Sequence, residues 1–385
     1  MSKKISAKAK DYDLTVEITK TVGADTKASE KVEAFRDLFL DRYKQVKRYV
    51  EQHYDFHESV TIEQIVSNRE KYSKWDAIGR TVVMVLEAKK TRKGYLRLVV
   101  EDTSGEMDAM VSPEVLERIG TIAEDEQEKD PISAAFISDI HRGADNFLDG
   151  EWNKMLDWLN SDDPLAENIG YMVISGDIVD GVGVYPNQEK ELDISDLYEQ
   201  YERTGKDLER IPDHMETIIL PGNHDAVRLA EPQPVLSSEV QSHFNHGHFV
   251  GNPCRFKIGG SDVLSYHGKS IDDMVMNLNE ASYENPENAM KQMLKRRHLA
   301  PQWGVKNQIA SEPTDMLTID STPDIFVTGH THGHCMQKYQ DIQLIVSSTW
   351  QGQTSFQKMV GFEPKPAIVS IVKLDDGSAA TVNFS

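Results

Sequence analysis

The 385-residue chain carries 42 Lys and Arg against 63 Asp and Glu, a formal net charge of −21 at pH 7. Its length suggests two or three domains, and 39% hydrophobic residues exclude whole-chain disorder. With no bilayer-length apolar run, no apolar signal core in MSKKISAKAKDYD and only Cys254 and Cys335, the expectation is a cytoplasmic protein without a membrane segment or a disulfide framework.

Residues 1–75 are expected to form an N-terminal helical and extended segment. Residues 1–28 are polar and lack a strong period. Over 29–52, Val32, Phe35, Leu38, Phe39, Tyr43, Val46 and Val50 recur at spacings of three and four, which predicts a packing helix. A short second helix over 58–72 would open at Ser59 or Thr61. In residues 76–120 the period becomes that of strands. TVVMVLEA, YLRLVVED and EMDAMVSP are separated by turns at Gly94 and Gly105, which predicts a small OB-type β-barrel module. Lys89, Lys90, Arg92 and Lys93 cluster at one turn, either to touch phosphates or as a solvated tip. Residues 121–131 read as a linker, with five acids in the seven positions 124–130 and Pro131 closing them.

Residues 132–385 alternate strands and helices. AAFISDI, YMVISGDIV, TIILPGNHD, VLSYHGKS and DIFVTGHTHGH are apolar runs that each end in a burst of Asp, Asn or His. Helices are expected near 152–160 and 195–209. In architectures of this kind ligands gather where strands end and loops begin. The bursts supply Asp139, His141, Asp177, Asn223, His267, His330 and His332. Imidazoles, carboxylates and one amide suit Mn²⁺, Fe²⁺, Zn²⁺ or Ni²⁺ better than Mg²⁺ or Ca²⁺. Seven donors exceed the needs of one catalytic ion, whereas two ions sharing a carboxylate would use them. Charge points the same way. Residues 1–100 carry a net +6 and residues 101–385 a net −27. Such a field does not draw in DNA, so either the substrate is small, or local basic patches and metal ions do the work. A salt-rich cytoplasm is a second explanation of the acidity. His334, and His243, His246 and His248 in SHFNHGHF, are expected outside the ligand set, and Cys335 beside it.

The blocks SDIH, GDIVDG, GNHD, YHG and GHTH resemble the five ordered motifs of calcineurin-like metallophosphoesterases. More narrowly, FISDIHRG, GDIVDGVGVYPNQ, LPGNHDAVR, YHGKSIDD, LKRRHLAPQWG and SSTWQGQTSFQKMV are similar to the small subunits of archaeal family D DNA polymerases. The resemblance covers roughly residues 10–375, and the family often has a longer leader than the few residues before position 10. It implies an α+β architecture: an OB-type module, then a calcineurin-like β-sandwich flanked by helices over 132–385. It also implies a 3′→5′ proofreading exonuclease with two divalent ions, Mn²⁺ first.

By the resemblance, Asp139, His141, Asp177 and His332 hold one ion. Asp177 bridges to a second ion completed by Asn223, His267 and His330. His224 is the catalytic histidine, and Asp180 orients it. Arg142, Tyr185, Arg228 and Lys269 flank the motifs and would either hold substrate phosphate or pair with acidic neighbours. The implied partners are the large catalytic polymerase subunit, single-stranded or frayed primer DNA and a sliding clamp, although no clamp-binding motif stands out. The alternatives are a non-catalytic accessory subunit and a stand-alone phosphoesterase or repair nuclease.

Overall fold

A computed structural model of the chain describes residues 7–25, 27–29, 31–53, 59–72, 79–91, 95–111, 129–302 and 306–385. These form two compact units. The first comprises Met1–Lys27, Glu126–Ala310 and Thr322–Ser385, and the second Ala28–Asp125 with Ser311–Ser321.

The first unit is built on two six-stranded sheets. One runs in the order β1 (Val16–Thr21), β9 (Cys254–Ile258), β10 (Ser261–Tyr266), β11 (Ile325–Thr328), β13 (Ile342–Val346) and β12 (Cys335–Tyr339). The other runs β15 (Ala379–Asn383), β14 (Ile368–Lys373), β5 (Ser133–Ile137), β6 (Ile169–Ser175), β7 (Glu216–Leu220) and β8 (His248–Phe249). Strands β5 to β8 are mutually parallel, and so are β10, β11 and β13. Parallel neighbours need crossovers. The helices Asp149–Leu159 and Pro164–Asn168 link β5 to β6, and Leu197–Leu208 links β6 to β7.

Strand periodicity explains how both faces fill. Phe136, Val173 and Ile218 stand side by side and belong to a core shared with Phe256, Val263 and Val327 of the other sheet. Their neighbours Ile137, Ile174 and Ile219 point the other way, into a core with Trp152, Met155, Leu156 and Tyr201 from the helices. The result is an α+β sandwich with helices on its flank. Among the described residues no helix is long and apolar enough to cross a membrane. Cys254 and Cys335 are free thiols.

In the second unit the helix Val32–His53 covers the stretch with the three-and-four spacing, burying Leu38, Tyr43 and Tyr49 while Val32 is exposed. Thr61 caps the helix Ile62–Ser67 through a reciprocal capping box with Gln64, and the short helix Arg69–Tyr72 follows. β2 (Met84–Lys90), β3 (Leu96–Asp102) and β4 (Gly105–Val111) make an antiparallel three-stranded meander. An OB barrel has five strands, so the described residues give part of what such a module requires.

The expected boundaries differ from this division in two places. Residues 16–21 are not part of a separate N-terminal segment, because β1 pairs antiparallel with β9 and belongs to the first unit. Residues 311–321 lie within the stretch expected to form one C-terminal domain, yet join the second unit. There Arg42 Nε meets Asp315 Oδ2 at 2.5 Å, and the Asp315 amide donates to Asp41 at 2.8 Å. Residues 121–128 of the expected linker 121–131 lie outside the described residues, as do residues 112–120 of the expected OB-type module.

Trp152 is 1% exposed and meets Trp350 edge to face at 4.9 Å. Trp152→Ala is expected to lower the unfolding free energy by about 3–5 kcal/mol, as deep aromatic truncations do. Met359, 76% exposed, serves as control, because Met359→Ala should stay within about 0.5 kcal/mol. Urea unfolding of both variants checks this.

Candidate metal centre

The five bursts sit at the carboxyl ends of β5, β6, β7, β10 and β11, strands drawn from both sheets. Each strand is fixed by its neighbours, so each burst leaves the sandwich at a defined point. Among the described residues, three groups of side chains bring ligand atoms within 4.8 Å of one another. They are Asp139, His141 and His332; Asp177, His267 and His330; and His141, Asp180 and His224.

The backbone is bent to achieve this. Asp139, His141, Asp177, His330 and His332 all have φ between 50° and 67°. This left-handed region costs a non-glycine residue about 1–2 kcal/mol, and such strain collects at functional sites. Glycine is required where backbone crowds the carboxylates. A β-carbon on Gly222 would collide with Asp177, and one on Gly329 with Asp139.

In the first group, His141 Nε2 and His332 Nε2 face each other at 3.1 Å. Asp139 Oδ1 lies 3.8 Å from the former and 3.5 Å from the latter. Asp177 Oδ2 reaches toward both groups, 3.8 Å from His141 Nε2 and 3.2 Å from His267 Nε2. Asn223 Oδ1 is 3.2 Å from the same His267 nitrogen. Backbone amides steady the acids. His330 donates to Asp139 Oδ2 at 2.9 Å, and His224 donates to Asp177 Oδ1 at 2.8 Å.

Asp180 does not act on His224 as expected. Its carboxylate takes His141 Nδ1 at 2.9 Å, while its distance to His224 Nδ1 is 3.9 Å. The Asp180 main-chain carbonyl holds His224 Nδ1 instead, at 2.7 Å. A carbonyl only accepts, so His224 Nδ1 carries the hydrogen and Nε2 is left to face outward. Gln188 and Gln351 donate to the Asp180 carboxylate at 2.6 and 3.2 Å.

The four flanking residues are occupied within the fold. Arg142 pairs with Asp149 at 3.0 Å and Asp207 at 3.4 Å and lies over the Phe147 ring. Arg228 donates to the carbonyls of Ala230 and Pro232. Tyr185 donates to Glu191 at 3.0 Å, and Lys269 to Asp272 at 3.2 Å. Lys89 is exposed on β2; the side chain of Lys90, and all of Arg92 and Lys93, lie outside the described residues. His334 bonds Ser370, His248 pairs with Glu216, and His243 packs on Tyr198.

Two acids carry tasks that the sequence did not assign them. Asp225, last residue of GNHD, accepts from the amides of Gly222 and Ile178 and from Tyr201, so it ties two of the bursts together. Burial, then the Asp177 charge, pushes its carboxyl up to about 7. Asp272 lies 3.3 Å from His330 Nε2. GNHD itself pointed to Asp225, whereas Asp272 reads as an ordinary acid in the first turn of a helix.

Burial opposes charge on His141, His224, His267 and His332, and neighbouring acids decide which of these rings keep a proton. Burial alone would lower His141, but hydrogen bonds with Asp139 and Asp180 raise it to about 10. Burial would lower His267 likewise, but the Asp177 charge and hydrogen bond raise it to about 9. Burial dominates at His332, down to about 3, and at His224, which is also lowered. A metal ion takes only the neutral ring. Near pH 7.5 the metal-free chain holds protons on His141 and His267, so an ion must displace them. Loading with a divalent ion is therefore expected to release about two protons per chain and to tighten as pH rises toward 9–10. Calorimetry in buffers of different ionisation enthalpy measures this, and release near zero would contradict it.

Residues 134–336 match the family model of the B-type subunits of DNA polymerases alpha and epsilon. The DNA polymerase II small subunit of Thermoplasma acidophilum is 33% identical, over 94% of this chain and 80% of its own. That of Methanocaldococcus jannaschii is 37% identical, over 95% of this chain and 68% of its own. Among solved structures, one described as a novel archaeal phosphodiesterase aligns over 65% of this chain and 99% of its own, at 14% identity and a TM-score of 0.33. By the family match and the two relatives, the chain belongs to the family of B-type polymerase subunits and, within it, to the archaeal DNA polymerase II small subunits.

Proposed function

We propose that the chain is a metal-dependent 3′→5′ exonuclease, the proofreading subunit of a two-subunit archaeal replicative polymerase, with a calcineurin-like two-metal centre. The observation that carries this reading is the facing pair His141 Nε2 and His332 Nε2, 3.1 Å apart beside Asp139 and Asp177. Two imidazole nitrogens and two carboxylates converging in a buried site form a donor set that fits a cation. Asp139, His141, Asp177 and His332 would hold one ion, and Asp177, Asn223, His267 and His330 the other. Mn²⁺ is the proposed metal, with Fe²⁺, Zn²⁺ or Ni²⁺ also matching the ligand types. Such a pair, when bound, neutralises phosphate charge and lowers the pKa of a water.

The chain's own residues then divide the work. Asp180 Oδ1 takes His141 Nδ1, which commits His141 Nε2 to the ion side. The Asp180 carbonyl fixes the His224 ring, so Nε2 is the nitrogen that meets substrate. Hydrolysis breaks a P–O3′ bond, and the departing oxygen needs a proton, which His224 Nε2 gives in its protonated form. Substrate phosphate falls mainly to the ions, because Arg142, Arg228 and Lys269 are engaged inside the fold. The large catalytic subunit would supply most of the DNA channel and deliver a frayed primer end; a sliding clamp is a further proposed partner. In this reading residues 76–120 remain an OB-type module, with Lys89 and its neighbours meeting phosphates. The second reading, a non-catalytic accessory subunit, draws on the family match to B-type polymerase subunits.

His224→Ala is expected to keep its metal content and to cut hydrolysis of a labelled single strand by roughly 10²–10⁴-fold. Asp177→Ala is expected to lose both ions, since Asp177 would bridge them. Elemental analysis and a Mn²⁺-dependent nuclease assay, with and without the large subunit, check both. Full metal occupancy without hydrolysis in either format would favour the accessory reading.

A further inference from the structure

We propose that Asp272 is a positioning residue: its carboxylate takes His330 Nε2 and so turns His330 Nδ1 toward Asp177 and His267. The inference rests on the metal reading above and extends it to a residue outside the strand-end motifs.

An imidazole that gives one nitrogen to a metal needs a partner on the other, or the ring is free to swing. Three of the four rings follow that pattern. His141 Nδ1 is held by Asp180 at 2.9 Å, and His267 Nδ1 by the Ser175 carbonyl at 2.9 Å. His332 stands apart, its Nδ1 facing the Gln357 amide nitrogen, a donor, at 3.0 Å. The His141 and His267 rings are gripped at Nδ1 by an acceptor and present Nε2. His330 is the reverse, with Nε2 at 3.3 Å from Asp272 Oδ1, so Nδ1 is the nitrogen left for the Asp177 and His267 group. Each cluster then contains one ring backed by a carboxylate: His141 by Asp180 and His330 by Asp272.

Asp272 is itself held still. Tyr283 donates its hydroxyl to Oδ1 at 2.8 Å, and Lys269 donates to Oδ2 at 3.2 Å. Its side chain is 13% exposed, as is that of His330. Asp272 joins none of the ligand clusters found among the described residues, so it acts through His330 and not as a ligand. The plainer role, an acid favourable to the first turn of the helix Ile271–Asn277, would affect helix stability but leave metal affinity alone.

The test is Mn²⁺ binding to the full chain by calorimetry for the wild type, Asp272→Asn and Asp272→Ala, with circular dichroism of each metal-free form. The wild type should bind two ions. In Asp272→Ala one ion should bind about 10–100-fold more weakly while the other keeps its affinity, and Asp272→Asn should weaken the same ion by less, since its amide oxygen can still accept from His330. If the alanine variant does not fold, the near-isosteric asparagine variant carries the test. Wild-type affinity for both ions in every folded variant overturns the proposal alone. A wild-type chain that binds no ion overturns the metal reading, and this proposal with it.

Discussion

Three carboxylates, Asp139, Asp177 and Asp180, are each no more than 1% exposed and share one pocket of histidines. Like charges out of water repel strongly and must be compensated. Without an ion the compensation comes from protons on His141 and His267 and from backbone amides of His224 and His330. The left-handed turns at Asp139, Asp177 and His330 aim these groups at one another. The sandwich supplies the rigidity that keeps such turns in place, because every one of them follows a strand paired on both sides.

The strands that carry the site were legible because they are buried on both faces. Ser133–Ile137 and Ile169–Ser175 are fully buried, and a strand covered on both sides reads as a continuous apolar run. The edges were not. β1 reads VEITKT and alternates half-buried with exposed positions, and β12 and β15 are edge strands as well. Nothing in such a short polar alternation separates an edge strand from a loop. The residues that gather in the candidate site were legible from the bursts, but their partners were not. GDIVD fixes the presence of Asp180 but not that its carboxylate goes to His141 and its carbonyl to His224. That choice depends on the backbone path between two loops 44 positions apart. The same limit applies to Arg142. It adjoins His141 in sequence, yet its side chain runs to Asp149 and Asp207.

Charge ties these observations together. The flanking cations Arg142, Arg228 and Lys269 are committed to neighbours within the fold, so in the proposed reading positive charge for a phosphate at the site would come largely from bound ions or another chain. An acidic surface is then tolerable, because local cations in a pocket outweigh a distant field screened over a Debye length of about 8 Å.

The excursion of residues 311–321 has a consequence for inheritance. The chain passes between its two units four times, at 27/28, 125/126, 310/311 and 321/322. Asp315 is buried, and the arginine that neutralises it stands 273 positions earlier. A recombination event that exchanged residues 28–125 without residues 311–321 would part that acid from Arg42. Removal of a counter-charge from a buried ion pair costs about 3–5 kcal/mol, a large share of a domain's stability. A change at Arg42 therefore has to be matched in the segment 311–321, and the second unit can be exchanged only with both of its stretches of chain together.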